Sequence, residues 1–247
     1  MSDSLYDAPQ APLAPAAPKP PSLMEQIEGV FTAPKALFDR LSKSPSWVPA
    51  LILAMVLGLV VTVVWGLKVD ADAMMRPGLE ANPQLTADQI DQAIQMGSKF
   101  ILVGGIFAVL FVVPIAMVIA GLINWGLGRA MTEPGEAQPS FLQGLSAAAV
   151  PSLVRLPDTI IILAMCLLKP VGGHRPEQVA PDSLGYFLHP ASPKLHALLY
   201  QVNPFIIANF VLGYLAMRHL VKAKPAAAAI STGIWVALVL VGVAFAK

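Results

Sequence analysis

Arg155 and Asp158 stand three residues apart inside an apolar run, and no other residues of this chain are better placed to do chemistry. Three apart on a helix means a shared face, so a guanidinium and a carboxylate can pair there. A charge near the bilayer centre costs at least about 2.5–3.5 kcal/mol, so such residues turn to a bundle interior or a water-filled cavity. Both side chains are therefore expected to be buried against other helices. Two roles fit the pair: a polar site for a proton, ion or lipid headgroup, or a self-neutralising link that orders a bent helix. Further along, Gln201, Asn203 and Asn209 supply amides that could bond to this centre. Asn203-Pro204 would also free a backbone carbonyl. Arg155, Asp158, Gln201, Asn203 and Asn209 form the candidate intramembrane polar site.

Catalytic alternatives are weak. Ser146 lies in Gly144-Leu145-Ser146-Ala147-Ala148, which lacks the second glycine of a nucleophile elbow. Asp158 is the only acid in any apolar stretch, against a two-aspartate protease. His174, His189, His196 and His219 lie in different segments without ligand spacing, so no metal site is expected. Gly104-Gly105 is embedded in apolar sequence and does not form a phosphate loop. The single cysteine, Cys166, cannot make an internal disulfide and reads as a small packing residue. The expectation is a non-enzymatic protein without cofactor or metal.

The elements that must position these residues are membrane spans. A crossing helix needs about 20 apolar residues, because about 30 Å of hydrocarbon is traversed at about 1.5 Å per residue. Five stretches qualify: residues 47–67, 100–127, 147–168, 195–217 and 226–246. The chain of 247 residues is 56% hydrophobic and 13% charged, with a mean hydropathy of +0.67. A soluble domain carries about 25% charged residues. The net charge of +1 argues against nucleic acid as a partner, since phosphate neutralisation needs a concentrated basic surface. The fold class is an all-α integral membrane protein, a five-helix bundle preceded by short amphipathic interfacial helices. In the third span Pro151 and Pro157 should bend the helix, since each removes a backbone hydrogen bond. Residues 141–146 read as its interfacial lead-in.

Small residues recur along the first span at intervals of four: Ala50, Ala54, Gly58, Thr62 and Gly66. Such a row lets another helix approach closely, and packing is what holds helices together in lipid. Ala116, Ala120, Asn124 and Gly128 form a similar row, as do Ala229, Gly233 and Ala237. A seam between two copies and packing within one bundle both fit, with the second favoured.

Outside the spans, residues 1–22 form a Pro/Ala-rich tail that cannot bury enough apolar surface to fold. Residues 23–46 read as two amphipathic helices lying in the interface, the second capped by Thr32 with Pro34 in its first turn. Residues 68–99 and 169–194 make long polar connections, the first carrying a helix start at Thr86–Gln89. Residues 218–225 hold Arg218, His219, Lys222 and Lys224 without an acid. The start Met1-Ser2-Asp3-Ser4 lacks the basic and apolar regions of a cleaved signal peptide. Basic residues cluster tightly against spans at Arg40/Lys43 and Arg218/Lys222/Lys224, which orients the amino terminus toward the cytoplasm.

The order of these features resembles the YIP-domain family (Ypt/Rab-interacting proteins), in particular its bacterial members. Phe31-Thr32-Ala33-Pro34 and Phe38-Asp39-Arg40-Leu41 resemble its interfacial segment. Trp47-Val48-Pro49 resembles the lead into its first span. Ser140-Phe141 with Pro151 is similar to its third span, and the basic link before an apolar final helix is similar to its end. The resemblance covers residues 23–247 and implies a five-helix bundle with a cytoplasmic amino terminus, here in a bacterial inner membrane. It implies no defined enzymatic activity. Eukaryotic relatives are associated with Rab GTPases and membrane shaping; their Asp-Leu-Tyr-Gly-Pro element is missing here, which argues against GTPase binding. The expected role is organising membrane lipids, a protein partner or a second copy of the chain. The alternative is a small transporter, channel or lipid-translocating protein built on the Arg155/Asp158 site.

Overall fold

A computed structural model describes residues 18–133 and 135–245 of the chain. Residues 1–17 of the expected tail lie outside them. The tail's last residues belong to the fold: Pro21 is buried and accepts from Gln26 Nε2 at 3.0 Å. Ser22 and Glu25 then close a capping box on α1 (Leu23–Thr32). The box satisfies two of the backbone N–H groups a helix start leaves without partners.

Helix α2 (Pro34–Lys43) follows after Ala33, which breaks the helix in a non-helical conformation. The cap is not Thr32, whose hydroxyl instead donates to the Glu28 carbonyl at 2.8 Å. Proline at the first position is sufficient here, because the N–H it lacks has no intrahelical partner anyway. The amphipathic stripe is satisfied by protein: Val30, Leu37, Phe38 and Leu41 are buried in the main core. Met24 and Phe31 remain exposed.

The first span is α3 (Val48–Gly66). A short hairpin of α4 (Ala71–Glu80) and the start of α5 (Ala87–Phe107) follows, tied by Arg76 to Asp91 at 2.8 Å. Thr86 and Gln89 form the expected capping box. Helix α5 runs through a π turn at Ala108–Val112 into α6 (Val113–Ala130), so residues 87–130 form one rod of 44 residues. Pro114 explains the wide turn, since its nitrogen cannot donate to the preceding turn and the ladder shifts by one residue. At about 1.5 Å per residue the rod spans about 66 Å, so its polar first third lies outside the hydrocarbon.

The third span consists of α7 (Phe141–Ala149), a 3-10 segment (Val150–Arg155) and α8 (Leu156–Leu168). Residues 141–146, expected as an interfacial lead-in, are buried in part against α6. A Cβ on Gly144 would sit 2.4 Å from the Gly121 carbonyl oxygen, so the two backbones touch. Two short helices, α9 (Pro176–Val179) and α10 (Leu184–Phe187), lie in the next connection. The fourth span is broken into α11 (Pro193–Gln201) and α12 (Pro204–His219), bent by 59°. Helix α13 (Pro225–Ala244) is the last span. Among the described residues four helical runs are long and apolar enough to cross a bilayer, and a fifth is counted when the bent pair is taken as one span.

Contacts sort the connections into two faces. Lys222 bonds Asp39 at 2.6 Å, Lys224 pairs with Glu133, and Gln143 Nε2 donates to the Ser42 carbonyl at 2.7 Å. The amino-terminal helices and the basic link therefore share one face, where Lys222 holds the Asp39 carboxyl below its ordinary range. On the other face Asp70 N donates to Gly172 O at 2.8 Å and Trp65 Nε1 to His174 O at 2.9 Å. Lys68 Nζ caps the end of α8 through the Cys166 and Leu167 carbonyls, a favourable place for a cation.

Candidate intramembrane polar site

Two broken spans meet at the polar residues. In the third span the ladder tightens over the 3-10 segment that begins at Val150-Pro151, and Pro157 opens α8, where proline is tolerated. Asp158 thereby falls in the first turn of α8, where free N–H groups favour a carboxylate. In the fourth span Asn203 caps α12, its Oδ1 accepting from Phe205 N at 2.8 Å and Ile206 N at 3.4 Å. Asn203 O accepts from Ile207 N at 3.0 Å, the first backbone bond of α12. Val202 O is taken by Leu184 N from α10 at 3.1 Å. This second break is thus fixed by a side-chain cap and by the loop before it.

Arg155 and Asp158 pair as their spacing predicts. Nη2 and Nε of the guanidinium lie 2.9 and 3.2 Å from the same carboxylate oxygen, Oδ2. Their burial is unequal: the Asp158 side chain is 4% exposed and that of Arg155 45%. The expectation that both are buried is corrected for Arg155. It ends the 3-10 segment and lines a groove with its side chain half exposed.

Asp182 is a further acid that sequence reasoning did not single out. It comes from the connection between α9 and α10. Burial, the largest cause, pushes its carboxyl up to about 7, and the Asp158 carboxylate adds to the rise. Its Oδ2 is enclosed without a hydrogen-bond partner, as is the hydroxyl of Ser183. Asn203 is buried as well.

Gln201 and Asn209 take a different place. They line a groove of about 590 Å³ between α6, the third span, α12 and α13, together with Met117, Ala148, Arg155 and Trp235. Its wall carries a buried hydrogen bond from Ser231 Oγ to Asn124 Oδ1 at 2.7 Å. A second cavity of about 780 Å³, lined by Arg175, Glu177, His196 and Tyr200, opens on the face of the long loops. Gln201 and Val239 line both cavities. Among the described residues no group of three His, Cys, Asp or Glu is arranged to hold a metal ion.

The small-residue row of the first span lies along the second. A Cβ on Gly58 would meet Val109 at 3.5 Å, and one on Gly66 would meet Leu102 at 2.9 Å. A Cβ on Gly105 would lie 2.7 Å from Thr62 Cγ2. Ala50 is fully buried in the core and Ala54 is half-buried. Gly233 of the third row has nothing within 4 Å of its would-be Cβ, and Ala229 and Ala237 are exposed.

A bundle of apolar helices with polar side chains gathered at two mid-span breaks defines a polytopic helical membrane protein. The model of the Yip1 domain matches residues 29–246, so the chain belongs to the Yip1 domain family. No curated protein and no solved structure matches it.

Proposed function

We propose that this chain is a non-enzymatic membrane protein that organises lipid, holding an anionic amphiphile in the groove between its second, third, fourth and fifth spans. One observation carries the reading: Arg155 lines the groove with its side chain 45% exposed, while its counterion Asp158 is buried behind it. A guanidinium so placed can keep its carboxylate and still donate to a second acidic group, since it has five N–H donors. The apolar walls suit an acyl chain, and the volume falls in the range of about 300–1,000 Å³ usual for ligand pockets. Asn209, Gln201 and Thr232 offer further polar contacts near a headgroup. In this reading the face of α1 and α2 lies in the cytoplasm of a bacterial cell, following the basic clusters beside the spans. GTPase binding forms no part of it.

The test is lipid retention. Protein released from nanodiscs of mixed phosphatidylglycerol and phosphatidylcholine should carry phosphatidylglycerol preferentially in native mass spectrometry. Arg155→Gln should abolish the preference, and Ala148→Trp should displace lipid of both kinds by filling the groove. Equal preference in Arg155→Gln and wild type would overturn the reading.

A second reading, translocation, is favoured by the residues common to both cavities. Gln201 and Val239 line both the loop-side cavity and the groove. If amphiphiles move along that line, proteoliposomes should exchange labelled anionic lipid between leaflets, and Gln201→Leu should slow the exchange. No exchange above empty liposomes would leave binding alone.

A further inference from the structure

We propose that the cavity on the face of the long loops binds a zwitterionic phospholipid headgroup, Arg175 taking its phosphate and Glu177 its primary ammonium. This site does not depend on what fills the groove, because Arg155 has no part in it. The cavity holds about 780 Å³, inside the range of about 300–1,000 Å³ usual for ligand sites. Its wall carries one arginine and one acid, Arg175 and Glu177. Both are exposed, and among the described residues neither enters an ion pair. Residues two apart on a helical turn do not face each other, so α9 does not pair them itself. They present opposite charges separately. A zwitterion matches both, whereas an anion or a cation alone would match one and meet repulsion from the other.

The wall is held in place by the protein. Val179 of α9 is buried with Cys166 and Val171, and Gln178 Oε1 accepts from Arg175 N at 2.9 Å. A Cβ on Gly173 would lie 2.7 Å from the Ala73 carbonyl carbon, so the preceding loop rests on α4. Charges fixed in advance lower the ordering cost of binding. Helix α11 supplies further polar groups. His196 Nε2 lies 3.0 Å from Gly185 O. A carbonyl only accepts, so Nε2 carries the hydrogen, and the neutral ring keeps Nδ1 as an acceptor. Tyr200, its ring 4.8 Å from that of His196, adds a hydroxyl. Glu177, His196 and Tyr200 thus offer acceptors for the three N–H groups of a primary ammonium, and a guanidinium suits a phosphate. A quaternary ammonium has no N–H to give them. The rest of the wall is apolar and comes largely from the end of the last span, at Val239, Val243 and Phe245. Acyl chains can follow that helix into the hydrocarbon, which selects a lipid over free phosphoethanolamine.

Lipid competition on the full-length protein tests the site. After exchange into nanodiscs of equimolar phosphatidylethanolamine and phosphatidylcholine with identical chains, native mass spectrometry counts the lipid retained on release. Wild type should favour phosphatidylethanolamine about tenfold, the effect of a hydrogen bond to a charged group. Glu177→Gln should bring the ratio to parity, Arg175→Gln should lower retention of both lipids, and Arg155→Gln should leave the ratio unchanged. Glu177 and Arg175 are exposed, so their replacement spares the packed core, and unchanged melting temperatures verify this. Equal retention of the two lipids by wild type would overturn the proposal. So would an ethanolamine preference that survives Glu177→Gln or vanishes in Arg155→Gln, or retention indifferent to Arg175→Gln. Free phosphoethanolamine separates the two sources of the headgroup: it should displace the lipid only in large excess, and displacement at equal concentration would overturn the lipid assignment.

Discussion

Arg155 binds Asp158 through a single carboxylate oxygen, at 2.9 and 3.2 Å, and the two side chains divide the site between them: the acid faces the protein and the base faces the groove. That division sets what each mutation removes. Arg155→Leu leaves a buried carboxylate without its cation, whereas Asp158→Leu leaves a guanidinium that can turn to the groove.

Arg155→Leu is therefore expected to be the more damaging single change, lowering stability by about 1–3 kcal/mol, the cost of a buried polar group without its partner. Asp158→Leu should cost less. The double variant should lie nearer wild type than the sum of the singles, because stranding one partner is the expensive event. Thermal unfolding of the four proteins in one detergent measures this; additive losses would contradict the coupling.

The crossing of α6 and α7 rests on bare backbone. A Cβ on Gly144 would meet the Gly121 carbonyl at 2.4 Å and the Trp125 side chain at 2.8 Å, whereas Gly104 has nothing within 4 Å. Gly144→Ala should destabilise by about 1–3 kcal/mol through overpacking. Gly104→Ala should be neutral or gain up to about 1 kcal/mol from helix propensity. Detergent melting temperatures of the two variants check the contrast.

Much of this was legible from the sequence. Spans appear as apolar runs, the Arg155–Asp158 pair as a three-residue spacing, and the helix starts at Thr86 and Pro34 as capping-box and first-turn proline chemistry. Asp182 was not legible, because it lies 24 positions beyond Asp158 in a Pro- and Gly-rich connection with no periodicity. The bend of the fourth span was hidden for a related reason: Asn203-Pro204 sits in an apolar run that hydropathy alone reads as straight. The groove was also hidden, since it requires four spans to be placed at once, although Gln201 and Asn209 signalled it by being amides in an apolar run. The amphipathic face of α2 was visible, but the pattern of a helix on lipid is also that of a helix on protein. Burial of Leu37, Phe38 and Leu41 decides for protein.

Stability should fall as pH rises. A carboxyl lifted from 3.8 to about 7 on folding binds its proton more tightly in the native state than in the unfolded one. Its contribution is complete below about pH 4 and is lost progressively as pH rises through about 7. Wild type should melt at a lower temperature at pH 8 than at pH 5, and Asp182→Asn should reduce that difference.

Face assignment can be read with single cysteines in a Cys166→Ala background. The α4–α5 hairpin and the link carrying Glu136 lie on opposite faces of the bundle. In intact cells a membrane-impermeant thiol reagent should label Gly78→Cys and spare Glu136→Cys. The reverse pattern would invert the proposed orientation, and labelling of both would contradict the span count. Ala223 is unsuitable as a reporter because it is buried.

The groove's occupant can be caught in place with a photoactivatable anionic lipid carrying its reactive group midway along one acyl chain. Irradiation in nanodiscs, followed by peptide mapping, should concentrate adducts on Met117, Ala148, Phe210 and Trp235, which line the groove. An excess of unlabelled phosphatidylglycerol should compete them away, phosphatidylcholine should not, and Arg155→Gln should disperse them. Adducts spread evenly over outward positions such as Ile52, Val56 and Phe107, indifferent to headgroup and to Arg155, would contradict an anionic lipid site in the groove.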